Sequence, residues 1–161
     1  MKNVLNELFL LNFTMQYFFM FLAFLCGVVF PIQAGLNGKM TKIVENPILA
    51  AFLSFLTGLI TLGVYAIITK VPLKQITHAQ NAPWYVWFAG VLGAFYVSTV
   101  VILIPRLGVA FTFGLIVAGQ MVISMALDHF GLFDLPVKPI SLGKIIGAIL
   151  LIIAVVLIRK F

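Results

Sequence analysis

Five apolar segments, each close to the length that crosses a bilayer, constrain this chain more than any other feature. A helix rises about 1.5 Å per residue, so about 20 apolar residues cross the hydrocarbon core. The segments cover residues 17–37, 48–69, 84–104, 109–128 and 142–158. Composition agrees, since 63% of the residues are hydrophobic and 9% are charged. The sequence therefore predicts an all-α, polytopic membrane protein with five transmembrane helices.

The gaps between these segments are short, which leaves no length for a soluble domain. We therefore predict one five-helix transmembrane domain over residues 17–161. Residues 1–16 are fairly apolar but are interrupted by Asn and Glu, and they are too short to cross. They are interpreted as an N-terminal interfacial extension, with a signal peptide as the weaker alternative.

Residue types that carry catalysis are sparse in this sequence. Cys26 is the single cysteine, and the two histidines, His78 and His129, are far apart. No glycine-rich phosphate loop occurs. The basic residues are spread over loop ends, which suits lipid headgroups better than nucleic acid. We expect neither an enzyme nor a binder of metals, cofactors or nucleic acid.

The ten basic residues divide evenly between the two sides of the membrane. One side carries Lys2, Lys70, Lys74, Lys138 and Lys144, and the other carries Lys39, Lys42, Arg106, Arg159 and Lys160. Basic residues near span ends normally stay cytoplasmic and so fix orientation. The tie predicts insertion in both orientations, unless a partner subunit or one dominant loop fixes the topology.

An odd number of spans makes this tie relevant to assembly. Two copies in opposite orientations would give ten helices related by a pseudo-two-fold axis in the membrane plane, as in many secondary transporters. The substrate site would then lie near the midplane between the halves. We predict an antiparallel homodimer, or the same arrangement with a sister chain.

Polar side chains within the spans predict the substrate site. Gln33 and Asn37 are one turn apart beyond Pro31, and Gln120 is the deepest polar group of the fourth span. Buried amides and aromatic rings suit a neutral or zwitterionic ligand. The predicted substrate-binding residues are Gln33, Asn37, Trp87, Tyr96, Gln120 and Ser124.

Structural alternatives exist for several of these positions. The two amides of the first span could mark a polar helix end, Gln120 could tie helices together, and Trp87 could be a headgroup anchor. A polar stripe on the second span, Ser54, Thr57, Thr61 and Tyr65 with Gly58, is interpreted mainly as helix packing.

Charged and small residues give further candidates. Asp128 and His129, at the end of the fourth span, are candidate proton-coupling groups, with a solvated helix end as the alternative. No carboxylate lies at the centre of a predicted span, which argues against simple cation–proton antiport. Gly143 and Gly147 form a GxxxG pattern that predicts dimer packing by the fifth span.

Helix boundaries are marked by capping residues and prolines. Asn46-Pro47 predicts the start of the second helix, and Ser141 predicts the start of the fifth. Pro83 predicts the start of the third helix, and Pro105 its end.

The chain resembles the YdcZ-like bacterial inner-membrane proteins, which belong to the drug/metabolite transporter superfamily beside the small multidrug resistance proteins. The resemblance covers nearly everything after residue 17. It rests on residues 30–37, 46–47, 50–55, 83–84, 90–94, 105–108, 119–120, 124 and 128–131. It implies a bacterial inner-membrane protein that works as an antiparallel pair. This chain lacks the membrane-embedded glutamate of the small multidrug resistance proteins. Gln33 and Asn37 occupy the comparable region of the first span.

These observations together predict a secondary transporter subunit that moves a small polar or zwitterionic metabolite by alternating access. Two alternatives remain open: a passive channel built as a dual-topology dimer, and a non-transporting subunit that only assembles with others.

Overall fold

Five long helices make up most of the chain. The computed structural model describes the backbone of residues 2–161 and the side chains from residue 14 onward. The helices are α1 (Lys2–Val44), α2 (Pro47–Ile68), α3 (Phe88–Leu107), α4 (Val109–Phe130) and α5 (Leu142–Lys160). In the described residues, all five are long and apolar enough to cross a membrane, as predicted. The interfacial extension predicted for residues 1–16 falls mostly outside the described side chains and stays a prediction.

Side-chain caps start two of the helices where the sequence predicts. Asn46 Oδ1 accepts hydrogen bonds from the backbone N–H groups of Ile48 (2.8 Å) and Leu49 (3.1 Å), at the first turn of α2. Pro47 occupies the first helical position, where a missing N–H costs nothing. Ser141 Oγ accepts from the backbone N–H of Lys144 at the start of α5. Both predicted starts are confirmed.

Of the two predicted proline boundaries of the third span, the one at Pro105 was wrong. Helix α3 continues through Pro105 to Leu107 and ends at Gly108, whose φ is 80°. Pro105 removes one backbone hydrogen bond from the last turn. This loss is tolerated, because the neighbouring residues still form their own backbone hydrogen bonds. At the other end, the candidate span begins at Trp84, directly after Pro83 as predicted. Its first turn, Trp84–Trp87, is 3₁₀, and the α-helix itself begins at Phe88.

Helix α1 is longer than its predicted span. It passes through Pro31 and reaches Val44, whereas the apolar segment was expected to end at residue 37. Lys39 and Lys42 therefore lie on the last turns of α1, and only two residues separate α1 from α2. The helices consequently alternate in direction with tight connections on this side of the membrane.

The first three helices pack together, and α4 and α5 form a second pair. Helices α1, α2 and α3 contact one another, α4 packs on α3, and α5 packs on α4. The most buried apolar residues are small: Ala34, Ala50, Ala51, Val100, Val101 and Val155. Small side chains let membrane helices approach closely, where dispersion and interhelical contacts stabilise them.

The α4–α5 contact has two specific features. Gly114 lies against Val155, whose Cγ2 would be 3.0 Å from a Cβ placed at Gly114. Towards the end of α5, the Arg159 guanidinium lies over the Phe111 ring, 5.4 Å from its centroid. This cation–π contact fixes the C-terminal turn of α5 beside the first turn of α4.

Apolar side chains are exposed along all five helices. Among the described residues only eight are buried, while long apolar side chains such as Phe24, Leu59 and Ile67 are more than two-thirds exposed. A water-soluble monomer rarely presents so much contiguous apolar surface. This surface suits lipid and other membrane helices, and the chain is a multi-pass membrane protein.

Candidate substrate-binding site

Three of the predicted site residues come together between α1 and α3. Gln33 and Asn37 of α1 and Tyr96 of α3 line one narrow cavity, with Phe113 of α4 beside them. Asn37 is only 7% exposed. The cavity has a volume of about 10 Å³, room for roughly one water molecule. In this conformation it is closed to anything larger.

An aromatic pair forms one wall of this cavity. The rings of Phe30 and Tyr96 meet edge to face, with centroids 6.0 Å apart and planes at 80°. This arrangement is favourable because the positive edge of one ring meets the negative face of the other. It joins α1 to α3 next to the amide of Gln33.

Gln33 also borders two larger grooves between α1 and α2. One, of about 240 Å³, is shared with Asn37, Ser54 and Thr57. The other, of about 350 Å³, is bordered by Ser54, Phe55 and Gly58. Gln33 therefore lies where a narrow cavity and two wider grooves meet.

The amides here are free to bind, whereas the hydroxyl proton of Thr57 is already engaged. Thr57 Oγ1 donates to the carbonyls of Leu53 (3.0 Å) and Ser54 (2.9 Å) on its own helix. Among the described residues, none hydrogen-bonds the side-chain amide of Gln33 or Asn37. Every fully buried side-chain nitrogen or oxygen in the described part has a hydrogen-bond partner, so these two amides cannot be fully buried. They therefore reach the open grooves, with both donors and acceptors available.

Some residues of this site were not among those predicted. Ser54 and Thr57 were interpreted mainly as packing, yet they face the amides across the α1–α2 groove. Their helical spacing on the second span was the signal that could have placed them there. Phe30 and Phe113 carry no such signal, because a phenylalanine in an apolar helix does not reveal whether it faces lipid or a cavity.

Trp87 and Gln120 lie away from this cluster. Trp87 is 63% exposed and Trp84 is 75% exposed in the 3₁₀ turn before α3, a position that suits the headgroup level. Gln120 is exposed on α4. It lies 11 residues after Val109 (120 − 109) and 10 before Phe130 (130 − 120), at the middle of the helix.

Ser124 and Asp128 belong to a separate groove between α4 and α5. Lys144 and Gly147 of α5 line it from the other side. Gly147 thus faces α4 of its own chain, where a Cβ would meet nothing within 4 Å. The dimer-packing role predicted for Gly143 and Gly147 stays a prediction.

His129 holds a loop at the end of α4. Its Nδ1 accepts a hydrogen bond from the backbone N–H of Ile140 (3.2 Å), and the N–H of Lys138 donates to the Asp128 carbonyl (2.8 Å). Both bonds fold the loop after Gly131 back onto the helix end. One imidazole nitrogen is therefore engaged in structure, and the proton-coupling role stays a prediction.

Acidic groups are absent from the middle of the described helices. Glu45, Asp128 and Asp134 all lie at or beyond helix ends. Across residues for which side chains are described, no group of three His, Cys, Asp or Glu side chains could hold a metal ion.

Comparison with known proteins identifies the family. The model of a family described as "Putative inner membrane exporter, YdcZ" matches residues 18–157. The chain is 28% identical over 142 residues to the inner membrane protein YdcZ of Escherichia coli strain K12, which covers 86% of this chain and 94% of that protein. No solved structure matches the chain. With five apolar helices and a match across nearly all of them, the chain is a multi-pass inner-membrane protein that belongs to the YdcZ family.

Proposed function

We propose that this protein is a secondary transporter subunit of the drug/metabolite transporter superfamily that exports a small polar or zwitterionic metabolite by alternating access. The description of its family as an exporter supports transport. The observation that carries the proposal is the position of Gln33, which borders a narrow cavity and both wider α1–α2 grooves. A ligand in either groove would contact Gln33 and could pass it towards the narrow cavity.

The chemistry of the lining supports a neutral or zwitterionic substrate. Gln33 and Asn37 can each donate and accept hydrogen bonds, and Phe30 and Tyr96 offer an aromatic wall. No acidic or basic side chain lines these three cavities in the described part of the chain. A simple cation or anion would therefore enter without a counter-charge, at a high desolvation cost.

Alternating access requires the narrow cavity beside Gln33 to widen. At about 10 Å³ it must widen many-fold to hold a metabolite. Pro31 lies beside Gln33 in α1 and leaves the carbonyl of Gly27 without its usual N–H donor. That weakened turn is our candidate hinge, because bending there costs no intact hydrogen bond.

An antiparallel dimer completes the proposal. Gln120 is exposed at the middle of α4, where lipid would penalise an unpaired amide. A two-fold axis in the membrane plane brings mid-helix residues of two copies together, so that the two Gln120 amides could donate to and accept from each other.

Disulfide cross-linking tests this dimer. In a Cys26→Ala background, a Gln120→Cys variant should form a cross-linked dimer in membranes. Phe130→Cys should not cross-link to itself, because each copy lies about 15 Å from the midplane on opposite sides. Self-linking at residue 130 without linking at residue 120 would establish a parallel pair and end the antiparallel proposal.

Substrate binding is tested with purified protein and a thermal-shift screen of neutral and zwitterionic metabolites. Gln33→Ala and Asn37→Ala should abolish a ligand-dependent shift, and Gln75→Ala, an exposed amide outside the spans, should preserve it. In liposomes, flux that saturates and shows counter-exchange would support a transporter, and linear flux a passive channel. Loss of the dimer in Asn37→Ala, with no metabolite shifting either protein, would indicate an assembly subunit.

A further inference from the structure

The groove between α4 and α5 changes character along its length. Asp128 lies two residues before the end of α4, and Lys144 lies two residues after the start of α5. Both are therefore near the same membrane surface. Met121 and Leu151 line the groove seven residues deeper on their helices, about 10 Å towards the bilayer centre. The groove, of about 250 Å³, is charged at its mouth and apolar in its depth.

The cation at the mouth is held in place but keeps binding capacity. Lys144 Nζ donates to the carbonyls of Lys138 and Pro139, both at 3.1 Å. An ammonium has three N–H donors, so one remains for a ligand. The two fixed bonds reduce the side-chain entropy that binding would otherwise cost.

The carboxylate opposite Lys144 is unpaired in the chain. No described residue forms an ion pair or a side-chain hydrogen bond with Asp128, although Lys144 lines the same groove. Two opposite charges that share a mouth without neutralising each other favour a ligand that carries both charges. Ser124 adds a hydroxyl just inside the mouth.

The deeper half suits a hydrocarbon chain. Gly147 and Ala148 have no large side chain and so leave space along one wall, where a Cβ at Gly147 would meet nothing within 4 Å. Met121 and Met125 lie on the opposite wall. Methionine side chains are flexible and polarizable, so they adapt to an irregular apolar ligand.

We propose that the α4–α5 groove is a binding site for a zwitterionic phospholipid with an ammonium headgroup. The free N–H of Lys144 donates to the phosphate, Asp128 accepts from the ammonium, and an acyl chain lies against Met121 and Leu151. An anionic lipid would leave Asp128 without a partner. A soluble zwitterion would satisfy the mouth but leave the apolar half of the groove unfilled.

This site is independent of the proposed transport function, because it shares no lining residue with the cavities around Gln33. Its occupant would fix the α4–α5 pair at the membrane surface whether or not the protein moves a metabolite.

Native mass spectrometry of the detergent-purified protein tests the proposal. Dioleoylphosphatidylethanolamine, dioleoylphosphatidylglycerol and free phosphoethanolamine are titrated separately. We expect the ethanolamine lipid to bind about tenfold more tightly than the glycerol lipid, the value of one charge-assisted hydrogen bond. Equal binding of the two lipids would overturn the site, and free phosphoethanolamine binding as tightly as the lipid would replace the lipid with a soluble zwitterion.

Matched variants locate the site. Asp128→Asn should remove the preference for the ethanolamine lipid while keeping the size of the side chain. Asp134→Asn is the control, because Asp134 is an exposed acid after α4, outside the groove, and its φ of 61° is one that asparagine adopts readily. Gly147→Leu should weaken the binding of both lipids, because the larger side chain fills the apolar half of the groove. An unchanged lipid preference in Asp128→Asn would refute the assignment.

Discussion

At the residue scale, polar side chains in these helices differ in whether their own helix can satisfy them. The hydroxyls of Thr57, Thr61 and Thr112 all donate to the carbonyl four residues earlier, at 2.6–3.0 Å. The carboxamides of Gln33 and Asn37 make no such bond in the described chain. Amides are therefore the more informative signal of a binding site in a membrane helix.

Gly131 allows a turn that other residues would strain. Its φ is 61°, and a Cβ would lie 2.7 Å from Val137 Cγ2 and 3.2 Å from the Leu135 carbonyl. We expect Gly131→Ala to destabilise the protein by about 1–2 kcal/mol, the cost of the left-handed conformation. Thermal unfolding in detergent measures it.

Gly63→Ala is the matched control for that experiment. Gly63 lies inside α2, and a Cβ there meets nothing within 4 Å. Alanine should leave stability unchanged or raise it by up to about 1 kcal/mol, because it favours the helix. If the two variants melt alike, the turn at Gly131 does not have the conformation described.

At the element scale, each helix end depends on a few local bonds. Replacing Asn46 by alanine removes the acceptor for the N–H groups of Ile48 and Leu49. We expect a loss of about 1 kcal/mol of stability, measured by thermal unfolding. Asn46→Asp keeps the accepting oxygen and should stay within a few tenths of a kcal/mol of the wild type; an equal loss in both variants would contradict a capping role.

The α4–α5 contact can be tested as a coupled pair. Gly114→Ala places a Cβ 3.0 Å from Val155 Cγ2, so overpacking should cost about 1–3 kcal/mol. In a Val155→Ala background that clash disappears, and the same substitution should cost less. A double-mutant cycle by thermal unfolding measures the coupling, and strictly additive effects would mean that the helices do not meet at this point.

At the scale of the whole molecule, the five-to-five charge balance predicts both orientations in the membrane. Reporter fusions at the C-terminus should be active on both sides. The double substitution Gln80→Lys and Asn81→Lys adds two cations to the exposed segment before α3 and should hold that segment in the cytoplasm. Gln80→Glu with Asn81→Glu is the control, since acidic residues contribute little; strictly one-sided activity in the wild type would refute dual insertion.

The sequence by itself determined the number of helices and two of their starts. Hydrophobic length is a property of one segment, and the caps at Asn46 and Ser141 act within a single turn. The effects of proline were less predictable. Pro31 and Pro105 each remove only one backbone hydrogen bond, and the rest of the helix determines whether it continues past them.

Only the tertiary structure decided which polar residues meet. Gln33 and Asn37 join Tyr96, and Ser124 joins Lys144, because each helix is rotated so that its small residues, such as Ala34, Ala50 and Gly114, face a neighbour. That rotation results from interhelical packing, which depends on residues far apart in the chain. The faces of a single apolar helix differ too little in hydrophobicity for its sequence to show how the helix is rotated.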